Sequence, residues 1–121
     1  MYKLTGITAK LETTDIDKTI EFYTEHLGFK LTGRFQGQIF LSKDEQTIMF
    51  HEMMEHHGQK KPVMTGSLYL YTMDVDDIYK SVKDKVKLSY PINDFEYGMR
   101  EFGMYDCNGY LLQVGRAINM M

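Results

Sequence analysis

The run Gly6-Ile7-Thr8-Ala9-Lys10-Leu11-Glu12 alternates apolar and polar side chains with period two, the pattern of a strand buried on one face. Ile7, Ala9 and Leu11 then point one way, Thr8 and Lys10 the other. Thr13-Thr14-Asp15 is a good N-cap cluster, after which Ile16, Ile20, Phe22, Tyr23 and Leu27 recur at near-helical spacing until Gly28 offers a stop. This predicts a helix of about three turns. Short strands are expected at Phe29–Thr32, Gln38–Ser42 and Thr47–Glu52, the last two joined by the turn Lys43-Asp44-Glu45-Gln46.

The order of elements then restarts. Ser67–Thr72 reads as a strand, Asp74-Val75-Asp76-Asp77 opens a helix to about Val86, and Lys87–Tyr90, Met99–Tyr105 and Tyr110–Gly115 read as strands. Asp106-Cys107-Asn108-Gly109 makes the last hairpin turn. Asp15-Ile16-Asp17 and Asp74-Val75-Asp76 stand at the same strand-to-helix junction, so the chain reads as a repeat of one βαβββ pattern. Module 1 covers about residues 1–55, an aperiodic connector about 56–65 and module 2 about 66–121. At 121 residues these make one α+β domain with no room for a second.

Composition adds limits. A hydrophobic share of 43% with 26% charged residues is ordinary for a soluble globular chain, and a formal charge of −3 predicts neither a nucleic-acid footprint nor a polybasic membrane patch. No apolar run approaches the ~20 residues of a membrane span. The lone Cys107 has no partner for an internal disulfide, and the start of the chain mixes Lys3, Lys10 and Glu12 into its apolar residues, unlike a signal peptide. A reducing cytoplasm is the expected setting. Ten Met, nine Tyr and seven Phe supply adaptable, polarizable material that suits a binding cavity and an irregular core equally.

Residues 15–29, Asp-Ile-Asp-Lys-Thr-Ile-Glu-Phe-Tyr-Thr-Glu-His-Leu-Gly-Phe, match the first strand-to-helix signature of the glyoxalase/bleomycin resistance/dioxygenase (vicinal oxygen chelate) superfamily. Tyr97-Gly98-Met99-Arg100-Glu101-Phe102 and Asp106-Cys107-Asn108-Gly109-Tyr110 resemble segments of its bleomycin-resistance-like branch, with Tyr97 for the usual Trp and Cys107 for the usual Pro. The resemblance implies two βαβββ modules whose curved sheets surround a cleft, and a homodimer. Thr8, Lys10, Met49, His51, Ser67, Tyr69, Tyr71, Leu111 and Gln113 then fall in the cleft-facing phase, with Tyr97, Arg100 and Phe102 as further candidate ligand contacts.

In enzymes of that superfamily a divalent cation is held by His, Glu or Gln on the first and last strands of the modules and chelates two substrate oxygens, which requires several convergent hard donors. Aligning on the helix-opening aspartates places the first-strand positions at Thr8 and Ser67, and counting from the Asp106–Gly109 turn places the last-strand position at Gln113, with Met49 as its counterpart in the first module. Of these only Gln113 is a plausible donor, and a single neutral amide does not hold a cation. No cofactor is therefore expected, and no catalytic residue is assigned. An altered metal site would draw on His51 and Gln113. The stretch His51-Glu52-Met53-Met54-Glu55-His56-His57 is not the zinc motif of two His at i and i+4, since His51 and His56 stand at i and i+5.

Arg100 reads either as an anchor for an anionic ligand group or as a surface ion pair with Glu101 or a cross-strand acid. His26 suits a helix C-terminus, and Lys80, Lys83, Lys85 and Lys87 a solvated face. Cys107 lacks the basic setting of a nucleophile. The favoured function is a non-catalytic protein that sequesters a planar or amphipathic small molecule, as in antibiotic resistance. The alternatives are a metal-dependent lyase, isomerase or dioxygenase, and a partner-binding module with a vestigial cleft.

Overall fold

The computed structural model describes residues 3, 5–53 and 61–120. They divide into two compact units at Pro62/Val63, within the stretch expected as a connector. Glu55, His56 and His57 of the His-rich cluster lie outside the described residues.

In the first unit, strand β1 (Ala9–Thr13) is followed by helix α1 (Ile16–Leu27) and strands β2 (Lys30–Phe35), β3 (Gln38–Lys43) and β4 (Gln46–Glu52). The sheet order is β1-β4-β3-β2, with β1 parallel to β4 and the other pairs antiparallel. The first strand begins later than the alternation suggests, because the ladder to β4 starts only at Ala9, opposite Ile48. Ile7 is accordingly 91% exposed, and Thr8 lies outside the strand.

Helix α1 starts where expected. The Asp15 carboxylate accepts a hydrogen bond from the Lys18 backbone N–H at 2.9 Å, satisfying one of the helix's orphan donors. Gly28 closes it in the left-handed region at φ 73°, and the Phe29 N–H returns to the Tyr23 carbonyl. The helix buries Phe22 and Tyr23 with Ile39, Leu41 and Phe50 of the sheet, Tyr23 packing at ring-centroid distances of 5.6 Å from Phe29 and 5.2 Å from Phe50. Two buried hydroxyls, Thr13 and Thr19, satisfy each other at 2.9 Å.

The second unit repeats the order: β5 (Leu68–Tyr71), α2 (Val75–Val82), β6 (Lys87–Asp94), β7 (Met99–Tyr105) and β8 (Leu111–Ala117), then a short 3₁₀ turn (Ile118–Met120). Its sheet order, β5-β8-β7-β6, is the first unit's topology again, with β5 parallel to β8. Helix α2 ends before the expected Val86; a tight turn at its end bonds the Lys85 and Val86 N–H groups to the Val82 carbonyl. Strand β6 runs on through Pro91, which is tolerated because β6 is an edge strand with register shifts on both sides of Tyr90. Phe102, Met104, Leu112 and Val114 form the core against Val75 and Val82 of α2. Each unit is thus a βαβββ module, and the fold is α+β. Among the described residues no helix is long and apolar enough to cross a membrane.

Candidate functional site

In the second unit, strand alternation separates two chemistries. The face turned to α2 carries Leu112, Val114, Phe102 and Met104, and the Phe102 ring meets Tyr79 of α2 edge-on at 5.1 Å. The opposite face carries Tyr69, Gln113, Glu101, Tyr90 and Tyr71, since Tyr69 is in register with Gln113, Gln113 with Gly103, and Glu101 and Tyr71 both with Gly115.

Glu101 is the centre of that face. It is 1% exposed, yet its carboxylate accepts hydrogen bonds from the Tyr69 hydroxyl at 2.8 Å and the Tyr90 hydroxyl at 2.5 Å. Gln113 donates to the Tyr90 oxygen at 3.0 Å and accepts from the Ser67 hydroxyl at 2.6 Å. The chain Ser67–Gln113–Tyr90–Glu101–Tyr69 therefore joins strands β5, β6, β7 and β8 and the residue just before β5.

Two glycines make room for it. A Cβ on Gly115 would collide with the Tyr69 hydroxyl and lie 2.7 Å from the Glu101 Cβ, and one on Gly103 would run into the Tyr90 ring. Aromatic rings continue the site outward. Tyr71 lies 4.7 Å from Tyr69, Phe95 meets Tyr90 edge-on at 5.6 Å, and Tyr97 stacks on Phe95 at 5.4 Å and 12°. Tyr71 and Tyr97 are 80% and 63% exposed.

The electrostatics follow from this packing. Burial, and then hydrogen bonding to the Glu101 carboxylate, push the Tyr90 phenol up to about 12 and raise Tyr69 further. Tyr97 is raised by the same two causes in the same order. These phenols hold their protons as donors, and none is poised to act as a base near neutrality.

Arg100 and Phe102 do not join the candidate ligand contacts. Both lie on the α2 face, because β7 pairs with β8 so that Phe102 opposes Val114 and Arg100 opposes Arg116. Phe102 is core, with no exposed surface. The Arg100 guanidinium instead binds Asp76 of α2, its Nη2 at 2.7 Å, and the cross-strand Asp94 at 3.0 Å. This ion pair holds the Asp76 carboxyl below the usual carboxylate range and Arg100 above its own. Beside it, Met73, Asp74, Asp76, Asp77 and Arg116 line an open cavity of about 320 Å³.

Ser67, Tyr69, Tyr71, Leu111 and Gln113 share the face away from α2, and Tyr97 adjoins it from the turn between β6 and β7. Met49 and His51 lie on the corresponding face of the first sheet, in register with Lys10 and Glu12, and Thr8 is exposed ahead of β1. Glu101 and Tyr90 are the central residues that sequence reading passes over. The signal was present: folding β7 onto β8 about the Asp106–Gly109 turn brings Glu101 to the same face as Gln113.

The metal-holding positions implied by the fold do not fit a cation. Thr8 and Ser67 offer only hydroxyls, Met49 a thioether and Gln113 an amide whose oxygen and nitrogen are both engaged, while Lys10 and Tyr69, in register with Met49 and Gln113, add an ammonium and a protonated phenol. Among the described residues no group of three or more His, Cys, Asp or Glu side chains converges.

Two units of one βαβββ topology, with β1 parallel to β4 in the first and β5 parallel to β8 in the second, define the class of fold, and sequence comparison identifies the family. The family model described as Glyoxalase/Bleomycin resistance protein/Dioxygenase superfamily matches residues 8–114, and the chain belongs to that superfamily. Comparison with curated proteins finds no significant match. Among solved structures, an integron cassette protein from the mobile metagenome of V. cholerae is 26% identical with a TM-score of 0.72, covering 96% of this chain and 98% of that one. A protein of unknown function from Agrobacterium tumefaciens is 21% identical, with a TM-score of 0.77 and 97% of each chain covered. The bleomycin resistance determinant encoded on transposon Tn5 is 22% identical, with a TM-score of 0.75 and 94% and 98% covered. At these identities the last two show the fold.

Proposed function

We propose that the protein binds a planar or amphipathic small molecule without transforming it, and that the ligand lies on the Val63–Met121 sheet face bearing Ser67, Tyr69, Tyr71, Tyr97, Leu111 and Gln113. The observation that carries this reading is the continuous polar chain from Ser67 to Tyr69 through Gln113, Tyr90 and Glu101. Its hydroxyl and amide groups already satisfy one another, and its phenols are held protonated. Such a surface is pre-organised for contact, with exposed rings for stacking and a few placed polar atoms for orientation, and it lacks an activated base or nucleophile.

A ligand that binds only the folded state raises the unfolding midpoint by mass action. Thermal-shift screening of the chain against antibiotics, flavins, aromatic acids and glutathione conjugates should give a saturable rise with at least one class, unchanged by a chelator. Turnover of the bound compound, or a stoichiometric metal lost in the His51→Ala, Gln113→Ala double variant, would overturn the reading in favour of a metal-dependent enzyme. The homodimeric, cytoplasmic setting belongs to the same proposal, and sedimentation of the purified chain reads its dimer arm.

A further inference from the structure

Resting on the binding reading above, we propose that the ligand of this face is an organic cation, an ammonium, amidinium or guanidinium group carried on an aromatic or apolar frame. The starting point is Glu101. Its carboxylate is buried, and the donors that meet it among the described residues are neutral, the hydroxyls of Tyr69, Tyr90 and Tyr97 and, at a long 3.5 Å, the Gln113 amide. Among the described residues it makes no ion pair. The neighbouring Arg100 points to the other face and is spent on Asp76 and Asp94.

A buried carboxylate is ordinarily matched by a counter-charge, since hydrogen bonds alone leave its field uncompensated in a medium of low dielectric. Among the described residues of this sheet, Lys87 is the cation on the face away from α2, in register with Tyr105, and it sits over the Tyr105 ring at 5.4 Å. Tyr105 is four strand positions from Glu101, about 13 Å at the usual rise. Among the described residues no counter-charge pairs with Glu101, and its end of the face is where the rings of Tyr71 and Tyr97 are exposed.

The rings are of the right kind to supply its binding surface. Tyr69 with Tyr71, and Tyr90 with Phe95 and Tyr97, form two groups of rings that meet at the carboxylate, where Tyr69 and Tyr90 both donate, and a cation over a phenol or phenyl face is held by the ring quadrupole. A phenol that donates its proton to a carboxylate is polarised toward greater negative character on its ring and oxygen, which strengthens that attraction. The Tyr69 oxygen, while donating to Glu101, can still accept from an ammonium or guanidinium N–H. The outer rings Tyr71 and Tyr97 give the frame something to stack on. An anion meets the opposite conditions, with a buried negative charge behind the rings and their negative faces in front.

Titrating the full chain with three fluorescent probes tests this: rhodamine 6G as an aromatic cation, fluorescein as an anion on a similar fused-ring frame, and Nile red as a neutral compound. Rhodamine 6G should bind at least tenfold more tightly than fluorescein. Glu101→Gln should cost rhodamine 6G about tenfold in affinity and change Nile red less than twofold. Tyr71→Leu and Tyr97→Leu, at exposed positions, should each weaken rhodamine 6G about threefold, and they decide the matter should the Gln variant not fold. Fluorescein binding as tightly as rhodamine 6G, or undiminished rhodamine 6G affinity in the folded variants, overturns the cation assignment and leaves small-molecule binding standing. Absence of binding by all three probes, together with a flat thermal-shift screen, overturns the binding reading itself.

Discussion

Gly115 and Gly103 show how small residues decide what a sheet face can hold. Each lies where an aromatic side chain must cross the strand, Tyr69 over Gly115 and Tyr90 over Gly103, to reach the carboxylate of Glu101. A methyl group at Gly115 would meet the Tyr69 hydroxyl at one side and the Arg100 carbonyl oxygen, 2.9 Å away, at the other. The backbone oxygen cannot yield, so the phenol must. Gly115→Ala is expected to cost about 1–3 kcal/mol by overpacking, readable by denaturant unfolding, and to break the Tyr69–Glu101 hydrogen bond. A loss below a few tenths of a kcal/mol would mean that Tyr69 moves aside freely and that the cluster is not rigid.

Tyr69, Tyr71 and Gln113 were legible from strand phase as sharing one face, whereas Tyr90 was passed over. Glu101 was not legible either, because reading Arg100-Glu101-Phe102 as one motif hides the alternation that sends its outer members to α2 and its middle member to the other face.

At the scale of elements, the two helices start from matching tripeptides and end up differently held. Asp15 caps α1 through the Lys18 N–H, whereas the Asp74 side chain makes no capping hydrogen bond to α2. Asp15→Ala should therefore cost about 1 kcal/mol, the usual value of a lost cap, and Asp74→Ala only a few tenths. Comparing the two unfolding free energies checks this, and equal losses would contradict it. Sequence reading finds both helix starts because a cap is a local event between near neighbours. It overruns the end of α2 and stops β6 short because those limits come from partners distant in sequence: the edge position that lets Pro91 remain in a strand, and the shifted register around Tyr90.

Across the molecule, the cluster on the second sheet ties stability to alkaline pH. Tyr69, Tyr90 and Tyr97 all have raised values, Tyr90 to about 12, while in the unfolded chain each ionises near 10.0. Between those limits the unfolded state releases protons that the folded state keeps, so unfolding becomes easier as pH rises. The stability tied to these protons is whole below pH 10.0 and is lost as pH climbs through the folded values. The unfolding midpoint should fall progressively above pH 10.0, and phenolate absorbance should show part of the nine tyrosines titrating late. A midpoint independent of pH from 10.0 to 12 would mean that the Tyr–Glu101 bonds are not maintained in solution.

By itself the sequence determined the twice-repeated βαβββ order, the helix starts and the hairpin turns, since these are written in short-range periodicity and local turn chemistry, and its motifs at residues 15–29 and 97–110 carried the likeness to one superfamily. Only the tertiary structure decided that Arg100 and Phe102 belong to the core side, and that Glu101, Tyr90 and Tyr69 meet. That meeting depends on which residue of β8 faces which residue of β7 and β5, on a register shift in β6 and on two glycines. These are long-range pairings, and a slip of one residue would have exchanged the two faces.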